Sequence, residues 1–209
     1  MKAERVLAID LSSKTGWSLT ISSDEGLSLE AYGQIPKIEC PQEEPYPSSY
    51  VTWAYTIFGE IENLIDIYTP SVLVIEETCG GSKNAFSQKL LEYSHFLLAR
   101  YIKETKIKNV YFQTGVWRKE TGSYMNDAER KHNKEVKKYK EKHKTKIARD
   151  INTGKRIGKI TKKHVTIRLV NEVFAKYLKM PLRKKDEDVS DSLGLAFCYH
   201  LRRKRGLHE

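Results

Sequence analysis

The sequence predicts an α/β domain: a mixed sheet, made of an antiparallel three-strand meander joined to parallel strands, with helices on both faces. Three observations point there. Two short runs, Val6–Ile9 and Val72–Ile75, are apolar on both faces and rich in β-branched residues, as buried central strands are. Longer stretches with apolar residues at helical spacing separate and follow them. The first run is succeeded by two turn-bounded segments rather than a helix, which is how a meander reads. At 209 residues, 39% of them hydrophobic, the chain is long enough for one such domain with a real core and short for two. Residues 1–209 are therefore read as a single domain.

Taken in order, Arg5–Leu11 is a first strand. Ser12-Ser13-Lys14-Thr15-Gly16 supplies a turn, Trp17–Ser22 a second strand, Asp24-Glu25-Gly26 another turn, and Leu27–Ile35 a third strand. Pro36, Pro41, Pro45 and Pro47 keep the next segment irregular. Val51, Ala54, Tyr55, Phe58, Ile61, Ile65 and Tyr68 mark a core-facing helix that Pro70 ends. Val72–Glu76 is a buried strand, Gly80-Gly81-Ser82 breaks the chain, and Phe86, Leu90, Tyr93, Phe96, Leu97 and Tyr101 mark a second helix. Val110–Phe112 is a last short strand. Lys-rich helical stretches span about Asp127–Lys146, and Asn152–Lys159 reads as a turn between two short strands. Val165 to Tyr177 restores a helical stripe that Pro181 stops, and Val189–Leu201 is a final helix apolar on most sides, expected against the sheet.

Charge is unevenly placed. Residues 118–163 hold 17 Lys and Arg against 6 Asp and Glu, and the remainder holds 20 against 21, so one segment carries all of the excess. Clustered positive charge attracts polyanions by neutralising phosphates. Lying between two core elements, this segment reads as a basic insertion that contacts nucleic acid or, equally, as a solvated loop or helical face. The chain opens without a charged-then-apolar leader and has no apolar run of spanning length. The expectation is a soluble intracellular protein, cytoplasmic or organellar, with no membrane partner. Cys40, Cys79 and Cys198 are odd in number and widely spaced, which fits reduced thiols rather than a disulfide framework or a zinc site. His132, His143 and His164 match no zinc spacing either, and Gly80-Gly81-Ser82-Lys83 lacks the spacing of a phosphate-cradling loop.

The chemistry lies in three acidic clusters. Asp10 ends the first strand and Glu76 ends the strand from Val72. If those strands are parallel neighbours, both carboxylates stand at their carboxyl ends, where open α/β sheets place their sites. Asp188 and Asp191 are three residues apart at the start of the last helix, so they share one face. Taken singly, these residues have plain structural uses: Asp10 in an Asx-turn, Glu76 and Glu77 capping a loop, Asp188 as an N-cap. Their joint order points to one site. Converging carboxylates repel unless cations neutralise them, and hard oxygen ligands suit Mg²⁺ or Mn²⁺. Two such ions about 4 Å apart serve phosphodiester hydrolysis.

The order Ile9-Asp10, Ser13-Lys14-Thr15-Gly16-Trp17, Val74-Ile75-Glu76, Lys83-Asn84, Trp117-Arg118-Lys119 and Asp188-Val189-Ser190-Asp191 resembles the RuvC-type Holliday-junction resolvases. The resemblance implies a ribonuclease-H-like fold and a homodimer whose two-fold axis relates two incisions. It also implies Mg²⁺-dependent endonuclease action on four-way or other branched DNA, in recombination and repair. Asp10, Glu76, Asp188 and Asp191 would then be the metal-binding, catalytic quartet, with Mn²⁺ able to substitute. Lys83, Arg118, Lys162 and Lys163 are the candidates for DNA phosphates. One departure is plain: where the family's loop after the Glu carries an aromatic, this chain has Thr78-Cys79-Gly80-Gly81-Ser82, and Phe86 farther on reads as core. The basic segment is also longer than in the family. Two other readings stand beside the nuclease: a catalytically silent branched-DNA-binding protein, and an ATPase or phosphotransferase on the related actin-like fold.

Overall fold

The computed structural model describes residues 2–12, 14–77, 85–149 and 156–207, with the backbone alone for 85–87. Its main sheet has the strand order β3-β2-β1-β4-β5. β1 (Glu4–Asp10) is central and buried from Val6 onward. β2 (Gly16–Ser22) and β3 (Leu27–Gln34) complete the antiparallel meander, with Asp10 opposite Gly16 and a register shift between Leu19 and Thr20. β4 (Val72–Glu76) lies parallel to β1, pairing Ile9 with Ile75, and β5 (Lys108–Phe112) lies parallel to β4 at the edge. This is the mixed sheet of a ribonuclease-H-like α/β fold.

Strand alternation divides the core between two faces. Leu7, Ile9, Leu73 and Ile75 meet α1 (Ser48–Tyr68) and α2 (Ala85–Thr105) through Trp53, Ile57, Ile61, Leu97 and Leu98. Val6, Ala8, Val72 and Val74 turn the other way, onto Leu195, Ala196 and Tyr199 of α6 (Glu187–Lys204) and onto Trp117. α5 (Lys162–Val173) then packs outside α6, with Ile167, Val170 and Phe174 against Val189 and Leu193.

Trp117 belongs to α3 (Thr114–Glu120), which periodicity does not reveal, since the helix has seven residues and one buried apolar side chain. It is seated by glycine: a Cβ on Gly194 of α6 would stand 2.7 Å from the Trp117 ring, so only a bare α-carbon lets the indole close on the helix.

Within residues 118–163, α4 (Asp127–Lys142) starts with a capping box between Asn126 and Glu129. It stops before Lys146 because Lys144 turns left-handed at φ 46°. β6 (Ala148–Arg149) and β7 (Arg156–Ile157) pair antiparallel; β7 falls inside the Asn152–Lys159 stretch that the sequence reads as the turn, and residues 150–155 lie outside the described residues. Asn133 ties α4 to this strand pair's exit, accepting from Ile160 N–H at 2.8 Å and donating to its C=O at 2.9 Å. α5 also ends early, at Val173: Tyr177 lies in the turn that follows, its hydroxyl donating to Leu27 C=O at 3.3 Å. Among the described residues, no helix is long and apolar enough to cross a membrane.

Candidate metal centre

The alternation that splits the core also aims the acids. Asp10 continues the Val6–Ala8 row of β1 and Glu76 the Val72–Val74 row of β4, so both face α6 and α3. Glu77 follows with the opposite parity. α6 begins at Glu187, which puts Asp188 inside its first turn and not at the N-cap. Gly16 sets the distance between sheet and helix, since a Cβ there would stand 2.1 Å from Asp188 C=O and 2.6 Å from Val189 N. With glycine at that position the start of α6 rests directly on β2, and the next turn brings Asp191 over the strand ends.

Asp10, Glu76 and Asp191 each present one carboxylate oxygen, all within 4.8 Å of one another. Asp10 is buried and Asp191 is only 3% exposed. Burial pushes the Asp10 carboxyl well above its ordinary value, and Glu76, Asp191 and Asp188 push it the same way. Burial likewise lifts Asp191, to about 6, although Arg118 opposes it. Asp191 Oδ1 is buried without a hydrogen-bond partner among the described residues. A shielded carboxylate oxygen facing two other carboxylates is costly unless a cation or proton meets it. The donor set is all oxygen, so the residues fit a small hard divalent ion such as Mg²⁺ or Mn²⁺.

Asp188 stands at the margin of this group. It lines the same cavity of about 320 Å³ as Asp10, Glu76 and Asp191, but its oxygens are engaged. Gln34 Nε2 donates to Oδ2 at 3.0 Å, and Lys163 Nζ donates to Oδ1 at 3.3 Å. Gln34 also donates to Lys14 C=O at 3.1 Å, which ties the end of β3 to the turn after β1. Thr114, the first residue of α3, donates its hydroxyl to Glu76 Oε1.

Two cations rim the cavity. Arg118 Nη2 donates to Asp191 Oδ2 at 3.2 Å, its guanidinium standing 4.8 Å from the centre of the Trp117 ring. Lys163 lies 3.3 Å from both Glu187 and Asp188. Burial works against its charge, but Asp188, Asp191 and Glu187 outweigh that and raise its pKa. His95 of α2 also lines the cavity, and burial lowers its pKa against the opposing pull of Glu77.

Of the residues singled out from sequence, the structure brings Asp10, Glu76 and Asp191 together, sets Asp188 beside them, and places Arg118 and Lys163 on the same rim. Lys162 lines a neighbouring cavity instead. Lys83, Cys79 and the loop with them lie outside the described residues, as does the Phe86 side chain. Sequence reasoning missed Thr114, Gln34 and His95. The one signal for Thr114 is its place two residues after a strand end; Gln34 and His95 carry no local signal.

No protein-family model and no curated protein matches the sequence. Solved structures do. Thermus thermophilus RuvC in complex with a Holliday junction substrate aligns with a TM-score of 0.63 at 10% identity, over 98% of both chains. The yeast mitochondrial Holliday junction resolvase aligns at 0.50 and 15% identity, over 97% of this chain and 84% of that one. Fowlpox virus resolvase with Holliday junction DNA aligns at 0.50 and 12% identity, over 94% and 96%. Likeness at such low identity concerns the path of the backbone, and on that ground the chain has the ribonuclease-H-like fold in the form these Holliday junction resolvases share.

Proposed function

We propose that the chain is a metal-dependent endonuclease that cuts four-way or otherwise branched DNA by phosphodiester hydrolysis. The observation that carries this reading is the meeting of Asp10, Glu76 and Asp191 oxygens within 4.8 Å at the carboxyl ends of two parallel strands. Asp10, Glu76 and Asp191 would hold Mg²⁺ or Mn²⁺, with Asp188 joining them. When bound, such ions supply positive charge to the attacking water and the leaving oxygen of an in-line displacement.

The chain's own residues do the rest. Thr114 holds the Glu76 carboxylate through its hydroxyl, and Gln34 holds that of Asp188. Both acids are thereby oriented before substrate arrives. Arg118 and Lys163 are charged donors on the cavity rim, placed to meet the oxygens of the scissile phosphate. The basic stretch 118–163, with 17 Lys and Arg, would follow the flanking backbone as an insertion in a single domain of residues 1–209. Lys162 and Lys83 belong to the same phosphate-binding set. A homodimer suits the reading, because a four-way junction is cut at two symmetric positions and a two-fold axis supplies two sites.

The test is a cleavage panel of four-way, three-way, flapped and linear duplex DNA with Mg²⁺ and with Mn²⁺. Paired nicks in the four-way junction, abolished by Asp10→Asn, are expected. Tight junction binding with no incision in either metal would select a silent binding protein, and ATP turnover without DNA would select the actin-like alternative.

A further inference from the structure

A second cavity opens beside the acidic one. It measures about 250 Å³ and is lined by Arg118, Ser123, Tyr124, Met125, Lys162 and Val165, with Gly115 on its wall. Arg118 is common to both cavities. Lys162 immediately precedes Lys163, whose ammonium pairs with Asp188. A group in the second cavity is therefore one side chain away from the acidic cluster.

Its walls have a definite chemistry. Val165 is 1% exposed and forms an apolar floor, while the Tyr124 side chain is open to solvent, 53% exposed. Two cations, Arg118 and Lys162, complete the lining. An apolar floor beside Tyr124, with Arg118 and Lys162 in the lining, can take a nucleotide from a single strand: the base leaves its neighbours and enters over Val165, and the phosphate meets the cations. The cavity lies below the ~300 Å³ at which pockets for drug-sized ligands begin, room for one base and not for a base pair. The wall is also held in place. Ser123 N–H donates to Arg118 C=O at 2.9 Å, Ser123 Oγ lies 3.2 Å from Thr166 Oγ1, and Arg168 donates to Tyr124 C=O at 3.2 Å. The turn after α3 is thus tied to α5 before any ligand arrives.

The geometry points to this cavity as a subsite for one unstacked nucleotide of the cut strand, beside the phosphate held at the acidic cluster. This rests on the nuclease reading above and adds to it a nucleotide contact that sets where along the strand incision falls. A base inside a continuous duplex would first have to leave its stack, at a cost of a few kcal/mol that is least where the base is already unpaired. The subsite therefore favours DNA with an opened centre or end over linear duplex.

Gly115 offers a plug that the fold tolerates. A Cβ there meets nothing within 4 Å, and replacing glycine within a helix favours the helix. Full-length protein in an Asp10→Asn background is mixed with four-way junctions carrying 2-aminopurine at successive positions around the expected cut. Fluorescence should rise several-fold at one position, and Gly115→Phe or Tyr124→Ala should each remove the rise. In the otherwise native protein with Mg²⁺, Gly115→Phe should spread incision over neighbouring positions while Mg²⁺ uptake stays as in the parent. If no position brightens, or if the Gly115→Phe protein brightens like its parent, the subsite is refuted. A protein that cuts junctions without brightening loses the subsite and keeps the nuclease reading. One that brightens and never cuts keeps the subsite and loses the nuclease.

Discussion

Arg118 Nη2 lies 3.2 Å from Asp191 Oδ2, and the two side chains are only 12% and 5% exposed. A guanidinium so close ordinarily pulls a carboxylate below its usual range. Asp191 instead rises to about 6, because burial outweighs Arg118 and the charges of Glu76 and Asp188 act with burial. Arg118 and Lys163 therefore leave negative charge in the cluster uncompensated, which is the electrostatic condition for a divalent cation.

The first prediction concerns pH. Asp191 has an ordinary value of 3.8 and a folded one of about 6. Between those values the folded protein holds the proton more tightly than the unfolded chain. Its contribution is thus fully present below pH 3.8 and lost as pH rises to about 6. The shift corresponds to roughly 3 kcal/mol, and the raised Asp10 acts in the same direction. Urea unfolding of the metal-free protein should show stability falling across this window. Mg²⁺ at a hundredfold over its Kd should return about 2.7 kcal/mol at neutral pH. A profile that rises with pH across the window would contradict the arrangement.

Asp10→Asn removes a charge from the buried cluster and keeps the side-chain shape. The metal-free variant should melt higher, by ~2–4 °C for each kcal/mol of repulsion relieved. It should also stop responding to Mg²⁺ and stop cutting. Differential scanning calorimetry with and without Mg²⁺ reads the first two effects together, and an unchanged Mg²⁺ response would remove Asp10 from the metal site.

Arg118→Ala takes away the cation that opposes burial at Asp191. The Asp191 carboxyl should titrate higher still, as followed by carbon NMR of the labelled side chain. On the nuclease reading, junction cleavage should fall more than junction binding, since the cation lost stands at the cut. Equal losses in both would make Arg118 an ordinary backbone contact.

Gly16→Ala places a methyl 2.1 Å from the Asp188 carbonyl oxygen and 2.6 Å from Val189 N, both of them backbone atoms. The start of α6 must move away from β2. Overpacking of this kind costs ~1–3 kcal/mol, and here it also displaces the turn that carries Asp188 and Asp191. Both Tm and Mg²⁺ affinity should fall. A variant with parental values in both would show that α6 does not depend on this contact for its position.

Much of the architecture was legible beforehand because local rules carry it. Val6–Ile9 and Val72–Ile75 are apolar on both faces and short, which reads as covered strands with Asp10 and Glu76 at their ends, and the structure has them so. The meander followed from turn residues, and the Asp188–Asp191 spacing put two acids on one helical face. α3 was not legible, for its one buried apolar residue, Trp117, is too little for a period. Gln34 was invisible for another reason: its partner Asp188 is 154 positions away.

The amino-acid order by itself determined the element types, the strand ends that bear acids and the concentration of positive charge in 118–163, because each of these depends on neighbours within a few residues. Only the tertiary structure decided that Asp10, Glu76 and Asp191 come within 4.8 Å while Asp188 is taken by Gln34 and Lys163. It also decided that Arg118 faces two cavities at once. These outcomes depend on how closely α6 and α3 approach the sheet, and that distance is set by what Gly16 and Gly194 leave empty, a property of packing between distant segments that no local pattern records.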